Sequence, residues 1–147
     1  MSEPALLDTN VLLRHILHDH ADHSPRATAL MGAVERGELR VRITETIVFE
    51  AVFTLEKFYK VPRTEIRDNV LPLIELPGVE LPGKRLYESV FELYLEHKSL
   101  SFADSYHLCL ASQNQLAGII TFEQKMNRWP GVRIWPPPVL SGTDQDD

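Results

Sequence analysis

Four acidic residues, far apart in the sequence, each lie where a predicted strand ends or a predicted helix begins: Asp8, Glu50, Asp104 and Glu123. Asp8 and Glu123 follow predicted strands, whereas Glu50 and Asp104 lie in the first turns of predicted helices. In an open parallel sheet, ligands bind beyond the carboxyl ends of the strands, so we expect the four side chains to meet at one edge. Carboxylate oxygens are the ligands that Mg²⁺ and Mn²⁺ prefer. The sequence therefore predicts a divalent-metal site.

Each of these acids, taken singly, also has a structural interpretation. Asp8 would serve as a helix N-cap, and for this residue alone the cap and the metal ligand are equally favoured. Ser101-x-x-Asp104 is a capping-box pattern, and Thr121 is a candidate cap for a short helix that begins at Glu123. The four acids taken jointly favour a metal site, because gathered carboxylates repel one another unless cations lie between them.

Glu50 is the acid that is hardest to explain by structure alone. Its neighbours in the sequence are all apolar: Val48, Phe49, Ala51, Val52 and Phe53. This pattern predicts at least partial burial, and a buried ionised carboxylate needs a cation, a metal or a raised pKa. The alternative is an exposed helix face. The apolar surroundings favour a functional role.

The composition is typical of one globular domain. The chain has 147 residues, of which 44% are hydrophobic and 24% are charged, and this length is enough to bury about two-thirds of the unfolded surface. The net charge of −6 argues against nucleic-acid binding by bulk charge, but it is compatible with a nuclease whose metal ion offsets acidic charge. The single cysteine, Cys109, excludes an internal disulfide, and its apolar neighbours predict a buried, inert thiol.

The sequence shows no pattern that targets a protein to a membrane. The amino terminus has no basic segment followed by a long apolar stretch, which is the pattern of a signal peptide. No apolar stretch approaches the roughly 20 residues that a spanning helix needs. We therefore expect a cytoplasmic protein that has no membrane partner.

Segments with strand and helix periodicity alternate along the chain. Strands are predicted at Ala5–Leu7, Leu39–Ile43, Val79–Leu81, Gly118–Thr121 and Val132–Trp135. The first of these is predicted to be buried and the fourth to be central. The helical spacing between them predicts the order β-α-α-β-α-α-β-α-α-β-α-β, with one helix from Thr46 to about Tyr59. This order predicts a three-layer α/β/α fold with a central, mostly parallel sheet of about five strands. Residues 1–138 form the single domain, and residues 139–147 form an acidic, disordered tail.

The motifs together resemble the PIN domain family, and within it most closely the VapC-type toxin ribonucleases of bacterial toxin–antitoxin pairs. The resemblance extends over nearly the whole chain, up to about Pro138. It depends on four segments in order and at fitting distances: Leu6–Leu12, Thr46-x-x-x-Glu50-x-x-x-x-Leu55, Ser101–Ala111 and Ile120–Glu123.

The resemblance implies cleavage of RNA phosphodiester bonds by a water that Mg²⁺ or Mn²⁺ activates. The residues that would bind the metal are Asp8, Glu50, Asp104 and Glu123. Thr9 and Asn10 would orient the first acid, and Thr121 would lie beside the metal. Glu123 stands where family members often have Asp, so an indirect role through water is as compatible as direct ligation.

The resemblance also implies partners and leaves one alternative function. A homodimer and a small antitoxin are expected, with the helices spanning Pro62–Ile74 and Lys84–His97 as candidates for an apolar interface. Candidates for phosphate contact are Arg14, Lys125 and Arg128, for which solvated surface charge is an equal alternative. The alternative function is a PIN-like module that binds RNA or a protein and has little or no nuclease activity.

Overall fold

The computed structural model describes residues 3–123, 126, 129 and 131–140. Helices in this part are α1 Thr9–Leu17, α2 His23–Glu35, α3 Glu45–Phe53, α4 Arg63–Glu75, α5 Tyr87–Glu96 and α6 Phe102–Gln113. Strands are β1 Ala5–Leu6, β2 Val41–Arg42, β3 Val79–Glu80, β4 Ile119–Ile120 and β5 Ile134–Trp135. The order of these elements agrees with the prediction, although most of the helix predicted between the last two strands lies outside the described residues. No described helix is long and apolar enough to cross a membrane.

The strands pair in parallel, but they form two sheets. The first sheet has the order β1-β2-β3, with Leu6 opposite Arg42 and Arg42 opposite Glu80. In the described residues β4 pairs with β5 alone. The prediction of one sheet of about five strands is therefore wrong. The predicted central place of the fourth strand is also wrong for the described residues, because β4 has one partner strand and Ile120 is 58% exposed. The predicted burial of the first strand is confirmed at Leu7 but not at Leu6, which is 65% exposed. An apolar composition does not by itself tell a central strand from an edge strand.

A cluster of aromatic rings joins α5 to α6. Tyr87, Phe91 and Tyr94 of α5 are buried almost completely. The ring of Phe102, at the start of α6, lies 5.0 Å from that of Phe91 and 5.4 Å from that of Tyr94, measured between centroids. Packing of this kind adds about 0.5–1.5 kcal/mol per ring pair beyond the burial of area. The cluster therefore fixes the first turn of α6, which carries Asp104.

Arg63, the first residue of α4, holds the connection between α5 and α6. Its Nη1 donates hydrogen bonds to the carbonyl oxygens of Tyr94 at 2.7 Å, Leu100 at 2.9 Å and His97 at 3.3 Å. The last carbonyls of a helix have no partner within the helix, so a donor from elsewhere is needed to satisfy them. The guanidinium also lies over the Tyr94 ring, 4.1 Å from its centroid. One side chain thus fixes the path of the chain into α6.

Most apolar residues of α4 and α5 face the interior. Ile66, Val70 and Ile74 of α4 belong to the same buried core as Val90 and Phe91 of α5. The other apolar residues of the two helices are partly exposed: Leu71, Leu73, Leu93 and Leu95. The apolar interface expected on these helices stays a prediction.

Cys109 lies in α6 and is buried, as the sequence predicts. Burial and the nearby negative charge of Glu92 raise the pKa of its thiol to about 11. Because the thiolate is the reactive form, this side chain is inert at neutral pH. Of the predicted tail, Val139 and Leu140 are exposed, and residues 141–147 lie outside the described part of the chain.

Candidate functional site

Asp8 lies between β1 and α1 and caps that helix. Its Oδ2 accepts a hydrogen bond from the backbone N–H of Asn10 at 3.3 Å, and its own backbone is extended. Leu7 and Thr9 on either side are buried, while the side chains of Asp8 and Asn10 are exposed. The neighbours therefore anchor the backbone and direct the carboxylate outward. The predicted cap is confirmed, and it uses only one carboxylate oxygen.

Helices α1 and α3 begin at the same edge of the sheet. Leu6 and Arg42 are paired in register, and two residues beyond each of them lie Asp8 and Thr44, the N-caps of the two helices. Thr44 Oγ1 accepts a hydrogen bond from the backbone N–H of Ile47 at 3.2 Å. Because parallel strands end at a common edge, the two caps bring both helix starts to the edge where α/β proteins bind ligands.

Glu50 was predicted to lie in the first turn of its helix. Because α3 begins at Glu45, Glu50 lies in the second turn. The buried residues of α3, Val48, Ala51 and Val52, lie on one face of the helix, and Glu50 is exposed. The prediction of at least partial burial is wrong, because an apolar neighbour in sequence is not a neighbour on a helix face. Among the described residues, the Glu50 carboxylate has no hydrogen bond or ion pair. It is therefore available to a ligand.

A groove between α3 and α6 brings Glu50 to the start of α6. This surface, the aromatic groove, is lined by Phe49, Glu50, Phe53 and Lys57 on one side and by Ser101 to Ala103 on the other. Phe49 joins the two helices, because its ring centroid lies 5.2 Å from that of Phe102 and 4.9 Å from that of Tyr106. One of the residues that line the groove, Ala103, directly precedes Asp104 in the sequence.

Asp104 is held in the predicted capping box. The backbone N–H of Ser101 donates to Asp104 Oδ2 at 3.1 Å, and the backbone N–H of Asp104 donates to Ser101 Oγ at 3.0 Å. The buried hydroxyl of Ser105 adds a bond to the Ser101 carbonyl at 3.0 Å. Two residues after Asp104, the Tyr106 hydroxyl donates a hydrogen bond to Glu45 Oε2 at 2.6 Å, which joins α6 to the start of α3. Asp104 is therefore half-buried and set rigidly in place.

Thr121 and Glu123 form a local turn after β4. The backbone N–H of Glu123 donates to Thr121 Oγ1 at 2.9 Å. The short helix that Thr121 was predicted to cap falls largely outside the described residues, so that cap stays a prediction. The backbone N–H of Thr121 bonds the Trp135 carbonyl at 3.0 Å, and Glu123 is exposed. The predicted phosphate contacts Lys125 and Arg128 lie outside the described residues.

A second groove, between α1 and α2, brings basic side chains close to Asp8. This surface, the basic groove, is lined by Asp8, Asn10, Arg14, His23 and Arg26, together with apolar residues. The guanidinium of Arg14 is already occupied, because it contacts both carboxylate oxygens of Asp19 at 2.8 and 2.9 Å and the Tyr59 hydroxyl at 3.2 Å.

His23 and Arg26 were not among the residues predicted to contact a substrate. They lie three residues apart on α2, and this spacing puts them on one helix face. Arg26 pairs with Asp22 at 3.3 Å, one turn before it. The helical spacing is visible in the sequence, but the approach of this face to Asp8 depends on the packing of α2 against α1.

The carboxylate oxygens of these acids are the type of ligand that a hard divalent cation prefers. In the structure, the described acids do not surround a common point as ligands of one cation would. In the described part of the chain, no three His, Cys, Asp or Glu side chains come close enough to hold one metal ion. Asp8 lines the basic groove, whereas Glu50 lines the aromatic groove beside α6. Both carboxylates are exposed. One oxygen of Asp8 and one of Asp104 accept the hydrogen bonds of their helix caps.

Glu56 is the second carboxylate of the aromatic groove, and it is set in a hydrogen-bond network. It accepts a hydrogen bond from the Tyr94 hydroxyl and pairs with Arg63 at 3.5 Å and Lys57 at 3.3 Å. Burial by itself would raise the pKa of Glu56, but the Tyr94 hydrogen bond and the two cations outweigh it and hold the pKa below its ordinary value.

Acid is expected to destabilise the wild-type protein more than the Glu56→Gln variant. The pKa of this carboxyl in the folded chain is lower than its ordinary value of 4.5, so its contribution to stability is complete above that value and is lost as the pH falls through the folded pKa. Urea unfolding between about pH 7 and about pH 3 measures the effect. Glu92→Gln, which changes an exposed carboxylate of α5, is the control. Equal loss in wild type and Glu56→Gln would contradict the expectation.

The protein has an α/β fold. One carboxylate of the candidate site, Asp8, caps α1 at the edge of the first sheet. The other two, Glu50 and Asp104, lie in α3 and in the first turn of α6, the two helices that border the aromatic groove. The sequence model of the PIN domain family matches residues 5–132, and the chain belongs to this family. The match confirms the resemblance at the level of the family. PIN domains are generally nucleases and typically use divalent metal ions. No curated protein gives a significant match to the sequence.

Proposed function

We propose that this chain is a Mg²⁺- or Mn²⁺-dependent endoribonuclease of the VapC toxin type. The observation that carries the proposal is the environment of Glu50 in a PIN domain. It is an exposed carboxylate with no partner among the described residues, and it faces the groove that ends at the start of α6.

The residues that would hold the cation are Asp8, Glu50 and Asp104. When bound, a divalent ion activates water for attack on a phosphodiester and stabilises the charge that develops on the leaving oxygen. The Asn10 backbone N–H keeps Asp8 Oδ2 in a fixed orientation. The capping box does the same for Asp104. Glu123 is exposed at the end of the Thr121 turn, where it would act directly or through water.

The resemblance to this toxin type implies products with a 5′-phosphate and a 3′-hydroxyl. Attack by water on phosphorus with departure of the 3′ oxygen leaves a 5′-phosphate and a 3′-hydroxyl. Cys109, the single cysteine, is buried and has a raised pKa, so it cannot serve as a nucleophile. A ribonuclease that uses the substrate's 2′-hydroxyl would instead leave a cyclic phosphate. The chemistry of the product ends therefore distinguishes the two mechanisms.

The proposal extends to the cellular setting that this toxin type implies. We expect a cytoplasmic homodimer that is inhibited by a small antitoxin. Most apolar residues of α4 and α5 belong to the core, so a dimer would use the partly exposed leucines of these helices together with other exposed apolar side chains. Phe58, Leu116 and Phe122 are among the described candidates.

Addition of EDTA is expected to abolish cleavage of an unstructured RNA, and Mg²⁺ or Mn²⁺ is expected to restore it. The control is Asp8→Asn prepared in parallel, because Asn is as good an N-cap as Asp and keeps the fold while it removes the charge. Mass spectrometry of the fragments should show 5′-phosphate and 3′-hydroxyl ends. Cleavage that persists in EDTA, or that is equal in Asp8→Asn, would contradict the proposal.

A binding module without nuclease activity is the second candidate. It is favoured by one observation, namely that no three potential ligands come together in the described part of the chain. Binding of RNA by wild type, with no cleavage at any Mg²⁺ or Mn²⁺ concentration, would support this candidate and exclude the first.

A further inference from the structure

Two phenylalanines near Glu50 are exposed, and only one of them lines the aromatic groove. Phe53 is 66% exposed and Phe58 is 75% exposed. Single exposed apolar side chains are common on protein surfaces, so exposure alone indicates no function. Phe53, however, lies in the groove between Glu50 and Lys57, whereas Phe58 does not line it. The difference in position separates the two residues.

Glu50, Phe53 and Lys57 follow one another along one wall of the groove. Phe53 lies three residues after Glu50 in α3, which is about 4.5 Å along the helix axis. Lys57 lies in the next turn, and its side chain is 60% exposed. An acid, an aromatic ring and a cation therefore succeed one another along this wall of the groove.

The turn that joins Phe53 to Lys57 is not α-helical. Residues Thr54–Phe58 form a π-helical turn, in which the backbone N–H of Tyr59 bonds the Thr54 carbonyl at 3.1 Å. Turns of this kind are rare and occur frequently at functional sites, because the extra residue changes the direction of the side chains around it. Here the turn begins directly after Phe53 and contains Lys57, so it sets the position of the cation relative to the aromatic ring.

We propose that the aromatic groove binds one unpaired base of the RNA substrate, stacked on the Phe53 ring, with the neighbouring phosphate beside Lys57. This inference rests on the proposed function. It follows from the order of the three side chains along the groove wall: an RNA strand whose scissile phosphate lies at Glu50 has a base and a further phosphate within reach of the next two side chains. Aromatic rings bind unpaired bases of any sequence by stacking, and lysine binds phosphate as a point charge.

The observations favour RNA over a protein partner in this groove. An apolar peptide side chain would gain nothing from Lys57 and would leave Glu50 and Glu56 desolvated beside it. A nucleotide supplies an apolar face for Phe53 and keeps its polar edges in water. Its phosphate supplies a negative charge for Lys57 in place of, or beside, the exposed contact of that residue with Glu56 at 3.3 Å. Two other residues that line the groove, Phe49 and Phe102, are packed edge to face.

The first test measures RNA affinity in a background that does not cleave. Asp8→Asn, with and without Phe53→Ala, Phe53→Trp or Phe58→Ala, is titrated into a short fluorescein-labelled unstructured RNA, and anisotropy gives the dissociation constant. Phe53→Ala is expected to weaken binding by about 5- to 150-fold. Phe53→Trp is expected to restore it, since tryptophan also stacks. Phe58→Ala, the matched control, is expected to change nothing.

The second test asks whether Phe53 contacts a base. The same RNA is made with an abasic ribose at each position in turn. At one position, the loss of affinity caused by the abasic site and the loss caused by Phe53→Ala are expected not to add, because both remove the same stack. Additive losses at every position would overturn the inference.

Other outcomes separate this inference from the proposed function. Equal affinities of the Phe53→Ala and parent proteins would overturn the base site, and so would an equal loss in Phe58→Ala. A change of oligomeric state in Phe53→Ala, with no change in RNA affinity, would assign the groove to a protein interface and also overturn it. If wild type fails to cleave RNA with either metal while Phe53→Ala weakens binding as expected, the nuclease proposal fails and the stacking site stands.

Discussion

Replacement of Glu50 by Gln is expected to lower the rate of RNA cleavage by at least about 100-fold while leaving the free energy of unfolding unchanged. Residues that only support a metal ligand cost about 10- to 100-fold when they are replaced, so loss of a ligand itself should cost at least the upper value. Stability should change by less than about 0.5 kcal/mol, because Glu50 is exposed and has no hydrogen bond or ion pair among the described residues. Single-turnover cleavage and urea unfolding provide the two measurements.

Glu92→Gln is the matched control for Glu50→Gln. Both residues are exposed glutamates in helices, and Glu92 lies on α5, away from the aromatic groove. The control should cleave RNA at the wild-type rate. Added Mn²⁺ should partly restore Glu50→Gln if the amide still serves as a weak ligand, since its carbonyl oxygen remains a hard donor. Wild-type cleavage by Glu50→Gln would remove this residue from the proposed site.

Replacement of Arg63 by Met is expected to destabilise the protein by about 2–4 kcal/mol. The side chain is only 19% exposed, and its removal would leave the carbonyls of Tyr94, His97 and Leu100 without their donor. Glu56 would also lose the guanidinium that it contacts at 3.5 Å. Methionine keeps most of the apolar stem, so the loss reports hydrogen bonds and charge more than volume. Urea unfolding at neutral pH measures it.

Arg67→Met is the control for Arg63→Met on the same helix. Arg67 lies one turn later, is more exposed, and contacts the carboxylate of Asp68 at 2.9 Å. A surface pair of this kind contributes about 0–1 kcal/mol. Arg63→Met should also slow cleavage at a temperature where it is fully folded, since the path of the chain into α6 sets the position of Asp104. Equal stabilities of the two variants would show that Arg63 does not hold this connection.

Local interactions near the acids were predictable because they span only a few residues. The Ser101–Asp104 capping box and the cap of α1 by Asp8 were both predicted from patterns within four positions. The element order was also predictable, because hydrophobic periodicity is a property of each segment. The cap of Asp104 and its proposed metal contact do not compete in principle, since a carboxylate has several acceptor sites.

The exposure of Glu50 and the pairing of the strands were predicted wrongly for a common reason. Both depend on which face of an element meets the rest of the protein. The apolar residues beside Glu50 divide between the buried face of α3 and the exposed ring of Phe53. Likewise, the apolar strand Ile119–Ile120 pairs with β5 and leaves Ile120 exposed. Neighbours in sequence did not indicate either outcome.

The sequence by itself determined the family, the order of the elements, the helix caps and the types of residue available for metal chemistry. These depend on local spacing and residue type, which folding does not alter. Only the tertiary structure decided that Glu50 and Phe53 share a groove with the start of α6, and that Arg63 bonds carbonyls 31 to 37 residues away. The physical reason is that such contacts arise when helices that are distant in the sequence pack together. Local sequence patterns do not predict the relative positions of those helices.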